Sequence, residues 1–132
     1  MKKKILIIED DEEICEELSE ILRGEGYAAE ISSDGLNALA LIEKKAYDLI
    51  ILDLKIPGIN GIELLKVIKE KKLKLKVLVV TARPLKHEGG IQKQGLAALD
   101  AKEQRLLRRC HGIVRKPFDV ASLLAKIRQL LK

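Results

Sequence analysis

Residues 47–65 read YDLIILDLKIPGINGIELL, and the strand, turn and helix written there set the architecture of the whole chain. Leu49, Ile50, Ile51 and Leu52 form a short continuous apolar run. Such a run suits a strand covered on both faces, as in a parallel sheet. Asp53 ends it. A Pro57-Gly58 turn follows, then Asn60 as a helix N-cap, then an amphipathic helix through Ile62, Leu65 and Ile68. Open α/β sheets place their chemistry at the carboxyl ends of parallel strands, so Asp53 stands where a functional carboxylate stands. Read alone, it is equally a solvated acid at a strand end.

A second acidic stretch separates these readings. Ile5, Leu6, Ile7 and Ile8 form another apolar run, followed at once by Glu9, Asp10 and Asp11. If the two runs are neighbouring parallel strands, Glu9, Asp10 and Asp53 converge at one sheet edge. Clustered carboxylates repel, and each desolvated charge is costly without a partner. A hard divalent cation with oxygen ligands relieves that repulsion. Mg2+ fits best, because it takes one or two carboxylates, keeps several waters and leaves room for phosphate.

Two further runs complete the set. Residues 77–80 form a third, ending in Thr81-Ala82, and Gly112–Arg115 reads as a short last strand, ending in Lys116-Pro117-Phe118. A hydroxyl donor and a lysine beside an acidic metal site make a phosphoryl-binding constellation, since phosphoryl transfer is catalysed mostly by positioning and charge neutralisation.

In that order, ILIIEDD, LIILDLKIPGINGIELL, VLVVTA and VRKPF resemble the landmarks of the receiver domain of bacterial two-component response regulators. LDLKIPGINGIELLK is similar to single-domain phosphorelay receivers of sporulating bacteria. The resemblance covers nearly the whole chain and implies one receiver domain over residues 1–132. The fold expected is a flavodoxin-like three-layer α/β sandwich, with five parallel strands in order 2-1-3-4-5 and the site at the carboxyl edge. The function implied is that of a phosphoacceptor switch rather than an enzyme. Asp53 would become an aspartyl-phosphate. Asp10 and Asp53 would bind Mg2+ with the Lys55 backbone carbonyl, and Glu9 would act through bound water. Thr81, the Ala82 backbone N–H and Lys116 would hold the phosphoryl oxygens. The implied partners are a sensor histidine kinase or phosphotransfer protein and a downstream protein.

Composition bounds the remaining classes. A chain of 132 residues predicts one domain with one core. Aromatic residues are only 2% of the chain, so the core is aliphatic. The formal net charge of +5 raises the question of nucleic acid. The lysines, however, are scattered over predicted helices next to glutamates, with almost no aromatics for base stacking, and read as solvated faces. Cys15 and Cys110 make neither a metal set nor a disulfide framework, which fits a reduced cytoplasmic setting. No apolar run is long enough to serve as a signal peptide or to span a membrane.

Residues 12–23 predict a first helix with Ile14, Leu18, Ile21 and Leu22 on one stripe and Cys15 beside it as a small buried hydrophobe. Gly24 and Gly26 stop that helix. Residues 27–31 predict the second strand. Ser33 or Asp34 caps a second helix carrying Leu36, Leu39 and Ile42. Residues 71–76 read as a basic surface connector, and residues 120–131 as a last helix burying Leu123, Leu124, Ile127 and Leu131.

Two features depart from the family. From Thr81 to Lys116 the chain is longer than the usual receiver by roughly a dozen residues, about three helical turns. This is an atypical insertion within about 83–111. Leu96, Leu99, Leu106, Leu107 and Cys110 keep helical spacing there, predicting an extended fourth-helix segment, with Gly89-Gly90 as a joint before it. His87 and His111 have no partners at ligand spacing and read as ordinary polar residues. The second departure is Ile113, three residues before Lys116, where receivers often carry a switch aromatic. Lys55 and Arg83 would flank the path of hydrolytic water and lengthen the life of the phosphoryl group. With no effector in the sequence up to Lys132, output is expected through a partner protein, unless the chain is a piece of a longer one.

Three alternatives have distinct signatures. A phosphohydrolase of the haloacid-dehalogenase type needs an acid two residues after its nucleophile, where this chain has Lys55. A nucleotide-binding module needs a glycine-rich loop after the first strand, where this chain has Glu9-Asp10-Asp11. A pseudo-receiver scaffold would keep the site without using it.

Overall fold

The computed structural model describes residues 2–54, 61–71, 74–81, 105, 107–108 and 110–132, with Thr81 described by its backbone alone. Among the described residues, strands and helices run in the order β1 (Lys4–Ile8), α1 (Glu12–Gly24), β2 (Ala28–Ser32), α2 (Gly35–Lys44), β3 (Leu49–Asp53), α3 (Gly61–Glu70), β4 (Lys76–Thr81), β5 (Gly112–Arg115) and a C-terminal helix (Val120–Leu130). The strands form one sheet of order β2-β1-β3-β4-β5, and each described pairing is parallel. This is the flavodoxin-like α/β arrangement expected from the sequence.

The apolar runs work as both-face strands. In β1, Leu6 and Ile8 pack on the side of α2 and α3, while Ile5 and Ile7 pack on the side of α1 and the C-terminal helix. In β3, Ile50 and Leu52 go with the first group and Leu49 and Ile51 with the second. All eight are essentially fully buried. Each such side chain stabilises the fold by about 1.5–3 kcal/mol through burial. The two aliphatic layers thus clamp the central strands and fix the level at which each strand ends.

Local signals set the helices. Asp11 caps α1, its Oδ1 accepting from the N–H groups of Glu13 at 3.0 Å and Ile14 at 3.3 Å. Glu12 and Glu13 lie in the first turn, where negative charge complements the helix dipole. Gly26 has φ of 93°, a left-handed conformation that turns the chain from α1 into β2. Asp34, rather than Ser33, caps α2, accepting from the Asn37 N–H at 2.7 Å. Asp119 caps the C-terminal helix.

Two helix stripes differ from the sequence reading. In α1 the buried line is Cys15, Leu18, Ser19 and Leu22, with Ile14 and Ile21 on its shoulders. In α2 the buried residues are Gly35, Ala38 and Ile42, and Leu36 is 61% exposed. Apolar residues occur all round α2, so its sequence does not select a face. The close approach of Ala38 to the sheet does.

Within residues 83–111, Arg105, Leu107 and Arg108 are helical and Leu107 is buried in the layer beneath α2 and α3. The helical expectation thus holds at those three positions. Cys110, the last of the expected stripe, lies past the helix in a bend, partly buried against the same layer, and Leu96, Leu99 and Leu106 lie outside the described residues. So do His87 and Gly89-Gly90, and so do the Pro57-Gly58 turn and the Asn60 cap.

Candidate functional site

The register brings the acids together. β1 and β3 pair up to Ile8 with Leu52, so Glu9 and Asp53 come level one residue later. Asp53 pairs with Val80, and Thr81 pairs with Arg115, which places Thr81 and Lys116 at the same carboxyl edge. One ligand atom from each of Glu9, Asp10 and Asp53 lies within 4.8 Å of the others. Glu9 and Asp53 are buried, while Asp10 is exposed.

Lys116 reaches over this cluster. Its Nζ donates to Glu9 Oε2 at 3.0 Å and Oε1 at 3.1 Å, and to Asp53 Oδ2 at 3.3 Å. Burial first, and the neighbouring Asp53 carboxylate second, push the Glu9 carboxyl up to about 7, against the pull of Lys116. Burial alone would lower the Lys116 ammonium, but Glu9 and Asp53 outweigh it and raise its pKa. Among the described residues, Lys116 faces two buried carboxylates, with a third, exposed one beside them. The donor set is all oxygen and partly open to solvent, which fits a hard divalent cation such as Mg2+.

Supporting contacts hold the acids in place. The Asp11 N–H donates to Glu9 Oε1 at 3.4 Å. The Cys15 thiol donates to the Glu9 carbonyl at 3.2 Å, and burial followed by the surrounding acids pushes that thiol up to about 11. Cys15 therefore stays protonated and structural, as its packing suggested. Beneath Asp53, Gly61 opens α3 against the strand end. A Cβ at Gly61 would fall 2.5 Å from Leu54 Cα and 2.9 Å from the Asp53 carbonyl oxygen. The Gly61 N–H donates to the Leu54 carbonyl at 3.1 Å. This close approach fixes the strand end that presents Asp53.

Of the expected site residues, the fold thus joins Glu9, Asp10, Asp53 and Lys116, and brings the Thr81 backbone to the same edge. Lys55, Ala82 and Arg83 lie outside the described residues. Sequence reasoning missed Gly61, whose signal was a glycine at the start of an amphipathic helix, and the capping task of Asp11, the third of three consecutive acids.

Comparison with known proteins agrees with this geometry. The family model described as the response regulator receiver domain matches residues 5–128. Sensory transduction protein RegX3 of Mycolicibacterium smegmatis is 33% identical over 128 residues, covering 97% of this chain and 50% of that protein. The chain spans about half the length of such relatives. Sporulation initiation phosphotransferase F of Bacillus subtilis is 42% identical over 82 residues, which is 62% of this chain and 66% of that protein. The crystal structure of response regulator protein TrrA from Thermotoga maritima, in complex with Mg2+ and BeF, superposes with a TM-score of 0.76 at 30% identity, covering 98% of this chain and 99% of that one. Receiver domains are phosphoacceptor signalling switches, generally not catalytic enzymes, and bind Mg2+ at an acidic pocket of the kind formed here. By its landmarks, its sheet order and these matches, the chain belongs to the response regulator receiver domain family of two-component signalling.

Proposed function

We propose that Asp53 accepts a phosphoryl group from a sensor histidine kinase or a phosphotransfer protein, and that the phosphorylated chain signals through contacts with a downstream protein. The observation that carries this reading is the cluster of Glu9, Asp10 and Asp53 within 4.8 Å, with Lys116 Nζ 3.3 Å from Asp53. In transfer, an Asp53 carboxylate oxygen attacks phosphorus and an O–P bond forms. The N–P bond of the donor phosphohistidine breaks, and the departing imidazole nitrogen keeps the electron pair and takes up a proton. Lys116 turns its ammonium from the carboxylates to a phosphoryl oxygen. The Thr81 hydroxyl and the Ala82 N–H hold the other oxygens.

The carboxylates of Asp10 and Asp53 would hold Mg2+, with the Lys55 backbone carbonyl as a third protein ligand and Glu9 acting through a bound water. When bound, the ion supplies neutralisation of charge at the transferring oxygens. Residues 1–132 act as one receiver domain whose insertion, within about 83–111, is anchored by Leu107 and offers a surface to the downstream partner. Lys55 and Arg83 shield the phosphoryl group from water. The setting is cytoplasmic. In support, no helix among the described residues is long and apolar enough to cross a membrane.

The test is incubation with a panel of histidine kinases and small phosphodonors in Mg2+, read by intact mass. A single phosphoryl adduct, absent from Asp53→Asn, is expected. Uptake by Asp53→Asn at the wild-type rate would overturn the assignment, and no uptake by wild type from any donor would favour a pseudo-receiver.

A further inference from the structure

A cavity of about 550 Å3 opens at the amino edge of the sheet, opposite Asp53. Its cationic lining comes from Lys3, Lys69, Lys74, Lys76, Lys132 and His111. These residues precede β1, close α3, precede and open β4, precede β5 and follow the C-terminal helix, so distant segments converge on one hollow. The acid in the lining, Asp48, accepts from the Lys4 backbone N–H at 2.7 Å. No salt bridge among the described residues involves Lys3, Lys74, Lys76 or Lys132.

Two hydrogen bonds tie His111, an exposed residue of the lining, to the start of β4. Its backbone N–H donates to the Val77 carbonyl at 2.9 Å, and its Nδ1 accepts from the Val77 N–H at 3.0 Å. With Nδ1 accepting, the neutral ring carries its proton on Nε2, a donor. Burial first, and the nearby Lys69 and Lys76 ammonium groups after it, lower the pKa of this ring. Leu75, Leu130 and Leu131 supply an apolar wall.

We propose that this amino-edge cavity binds a small polyphosphate-bearing anion, such as a nucleoside polyphosphate. The volume lies within the range of about 300–1,000 Å3 typical of small-molecule sites. Flexible ammonium groups from several segments suit an anion with several charged oxygens, which they meet as point charges. The leucine wall suits the ring of a nucleoside. A concave site with no aromatic residue in its lining favours a small anion over a nucleic-acid strand. Asp53 has no part in this site, so binding here stands whether or not Asp53 accepts phosphate.

The experiment is calorimetric titration of the full chain with inorganic tripolyphosphate and, separately, ATP, in EDTA so that no divalent ion bridges phosphate to the acidic edge. Saturable one-to-one binding is expected, with Kd below about 1 mM. Lys74→Ala/Lys76→Ala alters two exposed side chains, and should weaken binding by about tenfold or more through loss of two charges. The same variant should keep the wild-type circular dichroism spectrum and Tm in the absence of anion, which shows that it is folded. Lys116→Ala should bind tripolyphosphate as wild type does. Absence of saturable binding, an unchanged Kd in the double variant, or loss of binding in Lys116→Ala would each overturn the proposal. ATP binding more weakly than tripolyphosphate would overturn the place given to the leucine wall. A DNA duplex or a glutamate-rich peptide that binds the hollow while both small anions do not would overturn the small-anion assignment.

Discussion

Among the described residues, the carboxyl edge of the sheet gathers Glu9, Asp10 and Asp53 beside Lys116, whereas at the amino edge five lysines and His111 line a hollow with Asp48. In a parallel sheet all strands begin at one edge and finish at the other. The residues just before the apolar runs therefore collect in one place, and those just after collect in another. Here the residues before the runs are Lys3, Asp48, Lys74 and His111, and those after them are Glu9, Asp10, Asp53 and Lys116. The contrast extends to burial. Glu9 and Asp53 are buried and raise each other's demand for positive charge, while most of the amino-edge lysines are exposed and solvated. The carboxyl edge is thus built for specific chemistry, and the amino edge for electrostatic attraction.

The largest expected effect breaks the carboxyl edge. Lys116→Ala removes the donor poised at Asp53, and the rate of phosphoryl uptake should fall about 10²–10³-fold, as when one positioned donor is lost from an oxyanion site. The rate of adduct formation from a small phosphodonor measures it, and Lys76→Ala, at the other edge, should leave that rate unchanged.

Gly61→Ala attacks the same edge through the backbone. The added methyl meets Leu54 Cα and the Asp53 carbonyl, neither of which can swing away as a side-chain tip would. A loss of about 1–3 kcal/mol in urea unfolding is expected, the usual cost of overpacking. Mg2+ affinity should fall with it.

Mg2+ itself separates the edges without mutation. At ten times its Kd it should stabilise wild type by about 1.4 kcal/mol, read as a rise in Tm. Asp10→Asn should lose most of that rise, and Lys74→Ala/Lys76→Ala should keep it.

The smallest effect belongs to the amino edge. Burial, Lys69 and Lys76 hold His111 below its ordinary 6.5, and its neutral Nδ1 accepts from Val77. The unfolded chain therefore binds a proton more readily than the folded one. This contribution to stability is full above pH 6.5 and declines as pH falls toward the lower folded value. Urea midpoints measured across that range should show the decline, and His111→Gln should flatten it.

Much of this contrast is legible in the sequence, because four-residue aliphatic runs fix both the strands and their ends. The same logic fails where periodicity has no single answer. In α2, Leu36 and Leu39 sit one turn apart and look like a buried pair, yet the sheet takes Ala38 and Ile42 and leaves Leu36 in solvent. Asp11 is indistinguishable from Asp10 in sequence. Only the backbone direction after β1 makes one a helix cap and the other a member of the acid cluster. Gly61 is needed because Leu54 folds back against it, a contact that no local pattern encodes. By sequence the lysines read as solvated faces. That holds for Lys45, Lys66 and Lys71, which pair with glutamates, but the amino-edge group gathers only when the strands align.

Everything proposed for the carboxyl edge turns on Asp53 as the acceptor within a cation-holding acidic edge. Peptide mapping of the chain after treatment with a phosphodonor in Mg2+ tests it most directly. One phosphoryl group is expected, on the peptide that contains Asp53, present with Mg2+ and absent with EDTA. A phosphoryl group found on Glu9, Asp10 or His111, or one that forms on Asp53 equally well in EDTA, would contradict it.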